Sequence, residues 1–180
     1  MLSDYHQAKL RTHHRVLDWD DSGTVGKDDF EAIAANFARL RGEQPGSPVH
    51  EDLLAKFQWI WTTFWEPANA GKDGNVTQEE FVASLTAAVE AGVRSDDELL
   101  PMLFEMIDAD GDGVISLDEH RQFFEAFGID VELSPDVFAA LDTDGDGSVQ
   151  RDEFLEAGAK FFFYDEPDAP GNQFWGPVEA

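Results

Sequence analysis

Two stretches of this chain place side-chain oxygens at alternating positions and close each row with a glutamate. In DADGDGVISLDE, residues 108–119, they are Asp108, Asp110, Asp112, Ser116 and Glu119. In DTDGDGSVQRDE, residues 142–153, they are Asp142, Asp144, Asp146, Gln150 and Glu153. Oxygen donors alone suit a hard divalent cation. Calcium takes six to eight of them, which a twelve-residue loop supplies from positions 1, 3, 5, 7, 9 and 12. Position 7 acts through its backbone carbonyl, here Val114 and Ser148. Position 6 is glycine, here Gly113 and Gly147, because the chain turns sharply there. Both stretches meet every requirement.

Two further segments keep the rhythm with substitutions. DWDDSGTVGKDD, residues 18–29, offers Asp18, Asp20, Ser22, the Thr24 carbonyl and Asp29, with Gly23 at the turn. Its ninth position is Gly26, so water must coordinate there. Asp29 is one methylene shorter than glutamate, which favours six-coordination and makes magnesium a competitor for this loop. Asp21 and Asp28 read as solvated charge. NAGKDGNVTQEE, residues 69–80, has an uncharged Asn69 at its first position and no side chain at Gly71. Asp73, the Asn75 carbonyl and Glu80 remain, with Lys72 nearby, while Gly74 keeps the turn. This segment reads as the frame of a site without the ion. The expected count is about three calcium ions.

Each loop must be held between two helices. Ahead of the second, Leu54, Phe57, Trp61 and Phe64 or Trp65 form one apolar face. Ahead of the third, Leu99, Leu103 and Ile107 do the same. Strong apolar residues open the exit helices: Phe30, Phe81, Phe123 with Phe124, and Phe154 with Leu155. Ser95 to Glu98 reads as a capping box, and Ser134-Pro135 as an N-cap followed by proline at the first helical position. Pro101 must either delay or bend its helix. Residues 42–48 form a turn-rich connector. The β-branched residues at position 8 of the loops suit a short strand pairing Val25 with Val76 and Ile115 with Val149. Ser116 and Thr77 are placed to cap the helices that follow. The fold class is all-α: about eight helices in two pairs of helix–loop–helix EF-hand units packed into one body. The first pair spans residues 1–92, the second 93–160, and an extension over 161–180 packs on the core. Trp175 and Phe174 belong to that core rather than to a ligand pocket. His6, His13 and His14 are expected on or beside the first helix, and all five histidines, with His50 and His120, at the surface.

Composition narrows the function. Twelve basic residues against 38 acidic ones give a net charge of −26. Such a chain repels phosphate backbones and anionic lipid, so neither nucleic acid nor membrane is an expected partner. Cysteine is absent, which removes disulfides, thiolate metal sites and cysteine nucleophiles. The start of the chain shows no apolar leader, and the cytoplasm is the expected location. The carboxylates are accounted for as ligands, no nucleophile–base constellation stands out, and an enzyme is not expected.

With these motifs placed, the chain resembles the sarcoplasmic calcium-binding protein family and its bacterial relative calerythrin. The likeness rests on four EF-hands, the long connector between the first two, the defective second loop, and the tail FFFYDEPDAPGNQFWGPVEA. It implies that both halves form one compact body, that loops one, three and four carry cation, and that the tail folds back over the core. Calcium-regulated photoproteins and luciferin-binding proteins share the layout. Photoproteins use a histidine late in the chain, whereas the last one here is His120. The leading expectation is a monomeric calcium buffer or transporter. The alternative is a sensor exposing an apolar surface to a protein target, although only three methionines are present; a third reading is an apolar-ligand-binding relative of the luciferin-binding proteins. Without cation the clustered carboxylates repel, so a loosely packed apo form is expected.

Overall fold

The computed structural model describes residues 2–69, 73–92, 98–167 and 169–178. Gly71 and Lys72 of the second loop lie outside the described residues, as does most of the capping box expected at Ser95. Eight α-helices are present among the described residues: α1 Asp4–Leu17, α2 Lys27–Leu40, α3 Pro48–Ile60, α4 Gln78–Glu90, α5 Leu99–Ile107, α6 Leu117–Ala126, α7 Ser134–Leu141 and α8 Arg151–Phe163. Four short strands lie inside the loops: β1 Thr24–Gly26, β2 Asn75–Thr77, β3 Val114–Ile115 and β4 Val149–Gln150. The architecture is the expected all-α EF-hand fold.

The helices begin where local chemistry satisfies their first N–H groups. Ser3 and Ser47 cap α1 and α3, with Pro48 opening the latter. Thr77 and Ser116 each form a reciprocal capping box with Glu80 and Glu119. Pro101 is the third residue of α5, inside the first turn where a missing N–H costs no helical bond. The expected cap at Ser134 is displaced by one residue. Leu133 is the N-cap, Ser134 begins the helix, and its hydroxyl bonds His120 Nδ1 at 2.8 Å instead. Past Ile60, α3 widens into a π-helical turn, Trp61–Trp65, and then a 3-10 turn, Glu66–Ala68, before the second loop.

Strand pairing couples the loops in two antiparallel sets. Val25 faces Val76 and Ile115 faces Val149, and all four side chains are fully buried. These contacts turn two loops at a time into one rigid unit, each β-branched residue filling the space behind its partner.

A continuous apolar core joins the four units. It includes Phe30, Phe37, Phe57, Trp61 and Trp65 from the first half and Leu103, Phe123, Phe124, Phe127 and Phe154 from the second. Phe37 and Phe57 both meet the ring of Phe127, across the halves. Phe174 and Trp175 enter this core; Trp175 touches Phe123 and Phe127. The segment that carries them is tied down by Lys9. Its ammonium is wholly buried and donates to the carbonyls of Lys160 and Tyr164, at 3.2 and 2.6 Å, and to Asn172 Oδ1 at 3.3 Å.

The surface placement expected for the histidines is wrong for four of the five. His6, His13 and His14 lie on α1 but are buried, and His120 is completely enclosed. The reason is that each carries a long-range partner or an aromatic cage that a local reading does not reveal. His6 Nε2 meets the Phe162 carbonyl at 2.7 Å, and His14 Nε2 meets that of Val76 at 3.2 Å. His13 stacks on Trp175. His50 alone remains near the surface, its Nδ1 accepting the Gly46 N–H. No helix among the described residues is long and apolar enough to cross a membrane.

Candidate metal centres

Three groups of carboxylates converge among the described residues: Asp18, Asp20 and Asp29; Asp108, Asp110 and Glu119; Asp142, Asp144 and Glu153. In each group the oxygens lie within 4.8 Å of one another. Like charges gathered so closely repel, so the geometry needs an external support. The loop backbone supplies part of it. In the third loop, Asp108 Oδ1 accepts the Gly111 N–H at 2.8 Å, and Oδ2 accepts that of Gly113 at 3.0 Å. Asp142 repeats the pattern with Gly145 and Gly147 at 2.8 and 2.9 Å. In the first loop Asp18 holds Ser22 and Gly23 at 2.9 and 2.8 Å. A first-position aspartate thus closes each loop around a centre, and the turn glycines Gly23, Gly113 and Gly147 take positive φ values of 87–91°.

The twelfth position is anchored from both ends. Glu119 accepts the Ser116 N–H and hydroxyl on one oxygen, both at 2.8 Å, and the Ala109 N–H on the other at 2.8 Å. Burial alone would push its carboxyl up, but these donors outweigh it and hold the group below the usual range. Glu153 is held similarly by Thr143 and Gln150. Asp29 differs. It reaches the same two anchors, Trp19 N–H at 2.9 Å and Gly26 N–H at 2.7 Å, while being almost wholly buried. Burial wins over those bonds, and its carboxyl is raised. The shorter side chain has been drawn inward to make the contacts a glutamate makes from further out.

The remaining sequence-selected residues turn toward their own loops. Asp112 accepts the Val114 N–H at 3.0 Å, and Asp146 accepts the Ser148 N–H at 2.9 Å and the Gln150 amide at 2.6 Å. Ser22 Oγ donates to the Thr24 carbonyl at 3.1 Å. In the second loop, Asp73 accepts the Asn75 N–H at 3.1 Å, and Glu80 is bound by Thr77. Asn69 Oδ1 is buried without a hydrogen-bond partner. This loop keeps its strand and its Gly74 turn.

A backbone angle and a long-range contact set the first loop apart. Asp21 sits at φ 56°, where the third and fourth loops have Gly111 and Gly145 at 72° and 73°. Trp19 lays its ring against Gly128 between α6 and α7; a Cβ there would lie 3.0 Å from Trp19 Cζ3. The first loop therefore leans on the second half.

Comparison with known proteins agrees with this geometry. The family model for an EF-hand domain pair matches residues 96–157. A sarcoplasmic calcium-binding protein of Perinereis vancaurica tetradentata is 36% identical, over 98% of this chain and 99% of its own. Calerythrin of Saccharopolyspora erythraea is 28% identical, over 67% of this chain and 71% of its own. Among solved structures, the calcium-loaded apo form of the coelenterazine-binding protein from Renilla muelleri superposes with a TM-score of 0.78. Its identity is 26%, covering 97% of this chain and 96% of that one. The oxygen-only donor sets, the paired loops and the full-length likeness make this chain a calcium-binding EF-hand protein of the sarcoplasmic calcium-binding protein family.

Proposed function

We propose that the chain is an intracellular calcium buffer that takes up three cations, in loops one, three and four, and that loop two braces loop one without an ion. The ligands would be Asp18, Asp20, Ser22, Asp29 and the Thr24 carbonyl; Asp108, Asp110, Asp112, Ser116, Glu119 and the Val114 carbonyl; and Asp142, Asp144, Asp146, Gln150, Glu153 and the Ser148 carbonyl. The observation that carries this reading is the convergence of three carboxylate groups on centres that backbone N–H donors already shape. The two halves, residues 1–92 and 93–160, would act as paired sites sharing one core, with 161–180 sealing it.

Buffering is favoured over sensing by how the apolar residues are spent. A sensor opens a methionine-rich groove. Here Met106 is buried in the core and Met102 packs against it, while Phe37 and Phe57 lock on Phe127 across the halves. Opening either pair of units would break that seam. A core-bound apolar ligand gains little support. The aromatic cavity beside His13, Trp65 and Trp175 measures about 30 Å³, roughly the room of one or two water molecules.

Calorimetric titration with calcium, with and without millimolar magnesium, tests the proposal. Three tight sites are expected, the first losing most to magnesium. Four sites or one would refute the loop assignment. Strong binding of an apolar fluorescent probe to the calcium form, with micromolar affinity, would refute the buffer.

A further inference from the structure

Arg41 closes the carboxyl end of α2, in the first half, yet its guanidinium works in the second. Nη2 donates to the carbonyl of Met106, in the last turn of α5 and two residues ahead of Asp108. That carbonyl is among the four that a helix end leaves without an intrahelical partner, and the helix dipole makes it a good acceptor for a cation. The guanidinium also lies over the Phe37 ring, 5.8 Å from its centroid, so bond and ring together fix it in place. Burial works against its charge, while the carboxylates of Glu119, Asp108 and Asp52 sustain it. Two of those three belong to the third loop. Neighbouring residues of α2 make the same crossing. Asn36 Nδ2 donates to the Ala126 carbonyl at 3.4 Å, and Arg39 pairs with Glu125 at 3.4 Å. One helix of the first half thus grips both helices that flank the third loop.

We propose that Arg41 sets the cation affinity of the third loop from the opposite half of the molecule. This rests on the third loop being a calcium site. A fixed positive charge beside Asp108 and Glu119 relieves their repulsion when the loop is empty. It then opposes the two positive charges that arrive with calcium. The attraction to the carboxylates persists with the ion in place, so the difference that remains is repulsion of the cation, and Arg41 weakens binding. The family's loop pattern contains no such residue, because the group lies outside the loop and some seventy residues earlier in the chain.

The test uses the full chain in a background with Asp18→Ala and Glu153→Gln, so that the third loop is titrated alone at low ionic strength. Arg41→Met keeps the aliphatic packing on Phe37 and removes the charge. It should tighten calcium about three- to tenfold, as for a unit charge acting on a divalent ion at a distance on the order of 10 Å. Arg41→Lys keeps the charge and should stay within about twofold of the parent. The shift should scale with ionic charge, so terbium(III) should gain about one and a half times as much on a logarithmic scale. It should also shrink as salt is added. An anchor without an electrostatic role predicts the reverse, and unchanged or weaker binding in Arg41→Met would overturn the proposal. So would equal shifts for the two ions. Adding Glu119→Gln to the same background must abolish binding. If it does not, the third-loop assignment fails, whatever Arg41 does.

Discussion

Replacing His13 with phenylalanine should stabilise the protein, and by more as the solution becomes acidic. His13 sits at the centre of the fold. It stacks on Trp175 with ring centroids 4.9 Å apart and meets Trp65, Phe81, Phe161 and Phe162 edge to face at 5.0–6.4 Å. Its Nδ1 is buried without a hydrogen-bond partner. Burial among these rings, with His14 adding a smaller push, drives its pKa from 6.5 down to about 3. The unfolded chain takes up a proton near 6.5 that the folded chain refuses. The associated stability is therefore complete above pH 6.5 and is lost as the pH falls from there toward 3. Between pH 7 and pH 5 the loss is about 2 kcal/mol for this one group. Phenylalanine keeps the ring contacts and removes the orphaned nitrogen, worth about 1 kcal/mol at neutral pH. The gain of His13→Phe over the parent should grow from about 1 kcal/mol at pH 7 to about 3 kcal/mol at pH 5. Urea unfolding of both proteins in saturating calcium measures it, since carboxylate and metal effects cancel in the difference. A gain that does not change with pH would refute the burial argument. A less stable variant at both pH values would show that the nitrogen has a partner after all.

Asp21→Gly should raise stability by about 1 kcal/mol in thermal unfolding, because the φ of 56° ceases to be strained; an unchanged midpoint would contradict this. Asp29→Glu lengthens the side chain at the twelfth position, and on the proposed three-site reading magnesium should then compete several-fold less well at the first loop in calorimetric titration. Lys9→Met strips a donor from three acceptors and should cost about 2–4 kcal/mol in urea unfolding, with earlier protease cleavage after Tyr164.

The loops that gather carboxylates were legible because their chemistry is local. Asp108, Gly113 and Glu119 have meaning by spacing alone, and so do the capping pairs Ser116–Glu119 and Thr77–Glu80. The strand partners were legible too, since Val25, Val76, Ile115 and Val149 occupy the same step of a repeated unit. What stayed hidden depends on residues far apart in the chain. His14 binds the Val76 carbonyl, Lys9 holds Asn172, and Arg41 holds Met106, and no pattern within either partner's neighbourhood marks these pairs. Histidine is ambivalent by nature, and only its cage decides whether it faces water. At Ser134 the local signal was right in kind but one residue out. His120 had claimed the hydroxyl that a helix cap would have used.

The position of Trp175 also has a meaning in time. Its ring completes contacts with His13, Phe123, Phe127 and Phe174, which span most of the chain. A ribosome delivers Trp175 after every one of those partners, so a nascent chain carries all four loops before the keystone of its core has emerged. The aromatic interior is therefore still open when the last loop has been made, and it closes only once the segment bearing Trp175 has been added. Loops first and closure afterwards is an order of assembly written into the chain by where that one tryptophan stands.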